Sequence, residues 1–133
     1  MRLRAASVLI TAVLLGGCGL DVEAPDLFQV TRTGPAPTLT MLVNSSGTIS
    51  CNGGKPKQLA DSLLIQARAL STSLNNDVKL RFTRDAHSVF TYTVKVQNGT
   101  FTFPDTAASA HKELAQLELF FVQAGADPCG FSS

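Results

Sequence analysis

The stretch Ser88–Phe103, SVFTYTVKVQNGTFTF, decides how the rest of the chain is read. Phe90, Tyr92, Val94 and Val96 alternate with Thr91, Thr93 and Lys95, the period of two that sends successive side chains to opposite faces of a strand. Asn98-Gly99 is the dipeptide preferred in a type I′ hairpin turn. A two-residue turn there sets Gln97 opposite Thr100, Val96 opposite Phe101 and Val94 opposite Phe103. Phe90, Tyr92, Val94, Val96, Phe101 and Phe103 then share one face, predicted to be core, while Thr91, Thr93 and Lys95 meet solvent.

Pro104-Asp105-Thr106 follows the hairpin and opens a predicted helix over 107–124. Its stripe is Ala110, Leu114, Leu117, Phe121 and Ala124, with Gly125 as the stop and Pro128 just beyond. Before the hairpin, Leu63, Ala67, Leu70, Leu74 and Val78 make one apolar stripe of a helix over 61–77, with Asp61 placed to suit the helix dipole. Further back, 27–33, 38–43 and 48–51 read as three short strands separated by Gly34-Pro35-Ala36-Pro37 and Asn44-Ser45-Ser46-Gly47. Residues 52–57 (NGGKPK) read as a loop. The order β-β-β-α-β-β-α predicts an α+β domain over 27–133: an antiparallel sheet of about five strands packed against two helices.

The chain has 133 residues, 44% of them hydrophobic, and a net charge of +1. That length suits one domain. The hydrophobic fraction excludes a wholly disordered chain, and the charge supplies no basic footprint for nucleic acid.

Three cysteines are present: Cys18, Cys51 and Cys129. The N-terminus explains the odd count. Arg2 and Arg4 precede an apolar run, Ala5–Leu15, of about eleven residues, the length of a signal-peptide core and well short of the roughly 20 residues of a membrane-spanning helix. Leu15-Gly16-Gly17-Cys18 resembles a bacterial lipobox. The resemblance implies cleavage before Cys18 and lipidation of its thiol, so that residues 1–17 are a lipoprotein signal peptide. Residues 18–26 are then the lipidated Cys and a short tether, whose last eight residues span roughly 25–30 Å when extended. Loss of residues 1–17 removes Arg2 and Arg4, leaving nine of the 11 basic side chains against 10 acidic ones, a balance of −1. Two or three acyl chains anchor stably where one is marginal, so the expected location is the extracytoplasmic face of the cell membrane. The membrane is one expected partner; an envelope protein or a small ligand is the other. An exported chain folds under oxidising conditions, and Cys51–Cys129 is the simplest disulfide, closing a loop of about 80 residues. The alternative is a redox or nucleophilic Cys, for which neither position has a C-x-x-C motif or a nearby His.

Catalytic motifs are missing. No G-x-S-x-G, S-x-x-K set, H-E-x-x-H or P-loop occurs, and Asn52-Gly53-Gly54-Lys55 lacks the second half of a phosphate loop. His87 and His111 lie far apart without carboxylates at ligand spacing, so no metal and no cofactor are expected. Asn44-Ser45-Ser46 and Asn98-Gly99-Thr100 match the N-glycosylation triplet, but Asn and Ser are common in turns for backbone reasons. The stretch 80–88, with Arg81, Arg84, Asp85 and His87, is the most polar connector and the candidate contact loop. The expectation is a non-enzymatic binding or interaction domain.

Two resemblances bear on this. Asp26-Leu27-Phe28, Thr31-Arg32-Thr33-Gly34, Leu42-Val43-Asn44, Gly47-Thr48, Cys51-Asn52-Gly53-Gly54 and a Cys near the C-terminus make the body similar to a family of small exported actinobacterial lipoproteins. That likeness implies an extracytoplasmic location and no activity. A strand ending in Cys before a helix, here Thr48–Cys51, resembles the Streptomyces subtilisin inhibitors, which implies an exported protease inhibitor presenting residues 80–88. That family pins its protease-binding loop with a second disulfide, and no Cys flanks 80–88 here.

Overall fold

The computed structural model describes residues 24–131; the expected signal peptide, the expected lipidation site Cys18 and most of the expected tether lie outside the described residues. Strands β1 (Asp26–Thr33), β2 (Leu39–Asn44), β3 (Thr48–Cys51) and β4 (Lys57–Gln58) lead into helix α1 (Asp61–Asn75). Strands β5 (Thr91–Val96) and β6 (Gly99–Pro104) then lead into helix α2 (Lys112–Ala126). All strand pairs are antiparallel, and the sheet order is β4-β3-β2-β1-β5-β6. The fold class is the expected α+β, with six strands where about five were expected. The extra strand lies at the end of the glycine-rich loop, where Ile49 pairs with Lys57 and Thr48 with Gln58.

Alternation along each strand builds the two layers. Phe28 and Val30, then Leu39, Met41 and Val43, then Tyr92 and Val94, and Phe101 and Phe103 all turn to the helices and are buried. From α1 come Leu63, Ala67, Leu70 and Leu74; from α2 come Leu114, Leu117, Phe120, Phe121 and Ala124. Aromatic side chains interlock the layers: Phe28 meets Phe120 edge-on at 5.6 Å, and Tyr92 stacks on Phe103 at 5.1 Å while meeting Phe121 edge-on. Each such ring pair adds about 0.5–1.5 kcal/mol beyond the area it buries.

The hairpin register differs from the expected one. Val96 pairs with Gly99, Val94 with Phe101 and Tyr92 with Phe103, so the turn residues are Gln97-Asn98 rather than Asn98-Gly99. The slip is two residues, and a slip of two returns every side chain to the same face. The face assignment therefore holds although the partners change. Contacts with the end of α1 account for the register: Asn98 N–H donates to Asn75 Oδ1 at 3.0 Å, and Asn98 Nδ2 donates to the Asn75 carbonyl. Gly99, at φ +146°, lies against Val78, whose Cγ1 would stand 2.8 Å from a Cβ there.

α2 starts at Lys112, later than the expected 107. Residues 105–109 instead form a turn of 3-10 helix, and His111 is extended, which breaks the helical run. Asp105 holds that turn by accepting the N–H groups of Val89 and Thr106 at 3.1 and 3.0 Å. Ala110, counted in the apolar stripe, is consequently exposed. Gly125 does not stop α2 but lies within it. A Cβ there would come 3.3 Å from Met41 Cε, so the missing side chain lets the helix settle close to the sheet. The chain then folds back, and the N–H groups of Cys129, Gly130 and Phe131 satisfy the carbonyls of Ala124, Ala126 and Gly125. The Cys51 and Cys129 sulfurs sit at disulfide distance, with Cα atoms 5.7 Å apart across 78 positions of sequence. No helix among the described residues is long and apolar enough to cross a membrane.

Candidate functional site

The period of two in β1 places Phe28, Val30 and then Arg32 on the helix-covered face. A cation thus continues an apolar row. Its guanidinium lies over the Phe90 ring at 4.5 Å and the Phe121 ring at 5.0 Å, a stacking that suits a weakly hydrated planar cation. The only ion pair among the described residues joins His111 and Glu113, so no carboxylate lies within 4 Å of Arg32. Its Nε–H is buried and has no acceptor. A buried donor left unpaired carries a desolvation cost of about 1–3 kcal/mol.

Arg32 lines a cleft of about 200 Å³. Its lining is completed by the buried Leu39 and Phe121, by Gly125 and Ala126, and by Val122 and Phe131 at the exposed rim. Both rim residues are large, apolar and exposed, Val122 by 48% and Phe131 by 37%. Phe131 belongs to the returning tail, which Cys51–Cys129 fastens to β3 and the Phe131 N–H ties to the Gly125 carbonyl at 2.7 Å. The cysteine pair therefore positions one wall of the cleft.

Other polar groups gather behind it. Burial raises the Tyr92 hydroxyl to about 12, with the Glu118 carboxyl adding to the rise and Arg32 opposing it. Burial, and then the neighbouring Asp105 carboxylate, raise Glu118 to about 7. Its Oε1 is buried without a partner.

A second cluster joins the end of α1 to the start of α2. Asp77 is 8% exposed, and burial together with the Glu113 carboxyl beside it raises its pKa to about 6, while His111 pulls the other way. A proton held on Asp77 removes the repulsion that two neighbouring ionised carboxylates would have. His111 Nδ1 stands 3.7 Å from Glu113 Oε1, and its ring packs edge-on to Phe82. Expected to be isolated, His111 has as its neighbour a carboxylate two residues away across an extended-to-helical junction. Among the described residues no three His, Cys, Asp or Glu side chains are placed to hold a metal ion.

The candidate contact loop, residues 80–88, is exposed apart from partly buried Leu80, Phe82 and Ser88, and its polar groups are turned on itself. Arg81 donates to the carbonyls of Val78 and Leu80 at 3.1 and 3.0 Å, and Arg84 reaches the Ser88 carbonyl. Asp85 accepts the His87 N–H and, through Oδ2, the Thr106 hydroxyl at 2.8 Å; the Thr106 bond is the main cause of its lowered pKa. Phe82 anchors the loop against Phe103 at 6.2 Å. The structure does not bring Arg81, Arg84, Asp85 and His87 together around one point with the Arg32 cleft. Arg32 lies outside the expected contact residues, and its parity with Phe28 and Val30 is the one signal in the sequence that places it on the covered face.

Comparison of the chain with models of protein families, with curated proteins and with solved structures finds no match to any of them.

Proposed function

We propose that the protein is an exported lipoprotein, anchored at the extracytoplasmic membrane face through Cys18, whose domain binds a ligand and catalyses no reaction. The observation that carries the binding reading is the Arg32 guanidinium, unpaired by any carboxylate at the edge of an apolar cleft. A cation kept partly from water without a counter-ion is costly unless something else pairs with it. The order of Arg2 and Arg4, the apolar run and Leu15-Gly16-Gly17-Cys18 supports the anchor, and a Cys51–Cys129 disulfide suits the same oxidising compartment. Growing cells with a clickable palmitate analogue tests the anchor: label is expected on the intact protein and none on Cys18→Ala. Equal labelling of both would end the lipoprotein reading.

The alternative is a protease inhibitor presenting residues 80–88. It is supported by the tether of that loop through Asp85 to Thr106 and through Phe82 to Phe103. Titration against subtilisin-like and trypsin-like proteases tests it, and no inhibition at micromolar concentration would remove it.

A further inference from the structure

We infer that the Arg32 cleft takes the free carboxylate of a short alkyl chain, the carboxylate on the guanidinium and the chain between α2 and the returning tail. This rests on the cleft being the binding site. Three features of the cleft carry the chemistry. Arg32 is the one charged side chain lining it. Planar guanidinium pairs with carboxylate through two parallel hydrogen bonds, and the Phe90 and Phe121 rings hold that plane in place before any ligand arrives. The rest of the lining is Leu39, Phe121, Val122, Phe131 and the small residues at 125 and 126.

Size and polarity narrow the ligand. A cleft of about 200 Å³ is below the range of drug-sized sites, and a short alkyl chain with a carboxylate at one end suits it. A peptide C-terminus has the same charge but also brings an amide N–H. The cleft lining is apolar away from Arg32 and gives that group no side-chain acceptor. A plain alkyl carboxylate brings no further polar group that would need a partner there.

The test uses the full chain carrying Cys18→Ser, so that no acyl group competes, and hexanoate as the probe. Hexanoate is expected to shift amide resonances of residues around Arg32, Gly125 and Phe131, with a Kd on the order of 10⁻⁴–10⁻³ M for so few atoms. 1-Hexanol and N-acetylleucine are expected to bind at least about tenfold more weakly. Arg32→Gln should weaken hexanoate by about tenfold or more. Ala126→Phe, on the exposed side of α2 and filling the cleft, should abolish binding with Arg32 intact, so a misfolded Arg32 variant does not leave the question open. Hexanol binding as tightly as hexanoate would overturn the carboxylate assignment while keeping the cleft as a site. Tighter binding of N-acetylleucine would replace the alkyl chain by a peptide end. Absence of shifts with all three would overturn the cleft itself.

Discussion

The two faces of the one sheet are made from the same strands and do opposite things. On the covered face, Phe28, Val30, Met41, Val94 and Phe103 are packed out of water beneath the helices. On the other face, Thr40, Thr31, Thr93 and Thr102 stand side by side across β2, β1, β5 and β6. Their hydroxyls pair at 2.9 Å between Thr31 and Thr40 and at 3.2 Å between Thr93 and Thr102. Threonine keeps the branched Cβ that favours a strand and presents a hydroxyl that water can satisfy. The open face is thus β-forming without being adhesive. Burial is concentrated on one side, and the other side is expected to contribute little to stability.

Substitutions sharpen that contrast in a graded way. The largest effect is expected from the covered face: Phe103→Ala or Phe120→Ala should cost about 3–5 kcal/mol in urea unfolding. A loss below about 1 kcal/mol would mean that the layers do not pack as described. Next comes the staple. Cys51→Ser with Cys129→Ser should lower stability by about 2–4 kcal/mol, and reductant should lower the melting temperature of the unaltered protein but not of the double variant.

The third effect is pH dependence of the covered layer. Asp77 and Glu118 have pKa values raised to about 6 and about 7 from 3.8 and 4.5. The folded state therefore holds more protons than the unfolded one in that window, and stability falls as pH rises from near 4 to near 7. Discounted for solvent screening at half-buried Glu118, each group should contribute about 1 kcal/mol. Asp77→Asn and Glu118→Gln should each flatten the stability profile measured from pH 4 to 8; an unchanged slope in both would show that neither carboxyl is raised. The smallest effect belongs to the open face. Thr31→Val or Thr93→Val should change stability by no more than about 0.5 kcal/mol, and a loss above 2 kcal/mol would reveal a covering partner or a tighter role for the hydroxyl pairs.

Much of this was legible in the chain. Alternation in 90–96 and 101–103 separated core from solvent correctly, because a strand has only two faces. The 63-67-70-74 stripe marked α1 for the same kind of reason. The register was not legible. Asn98-Gly99 is a good local turn, but two hydrogen bonds from Asn98 to Asn75 and the contact of Gly99 with Val78 select another. The start of α2 was missed because Asp105 ties its neighbours to Val89, sixteen positions away. Gly125 read as a helix stop, since glycine usually is one, and only the proximity of Met41 shows it serving helix–sheet contact.

By itself, then, the sequence determined the element types, the apolar face of each strand and the plausibility of pairing Cys51 with Cys129, because those follow from short-range periodicity and from the residue types present. Tertiary structure alone decided the hairpin register, the meeting of Asp77 with Glu113, and the cleft. Arg32 and Phe131 are nearly a hundred residues apart. No local pattern relates them until β1, α2 and the stapled tail pack at one end of the sheet.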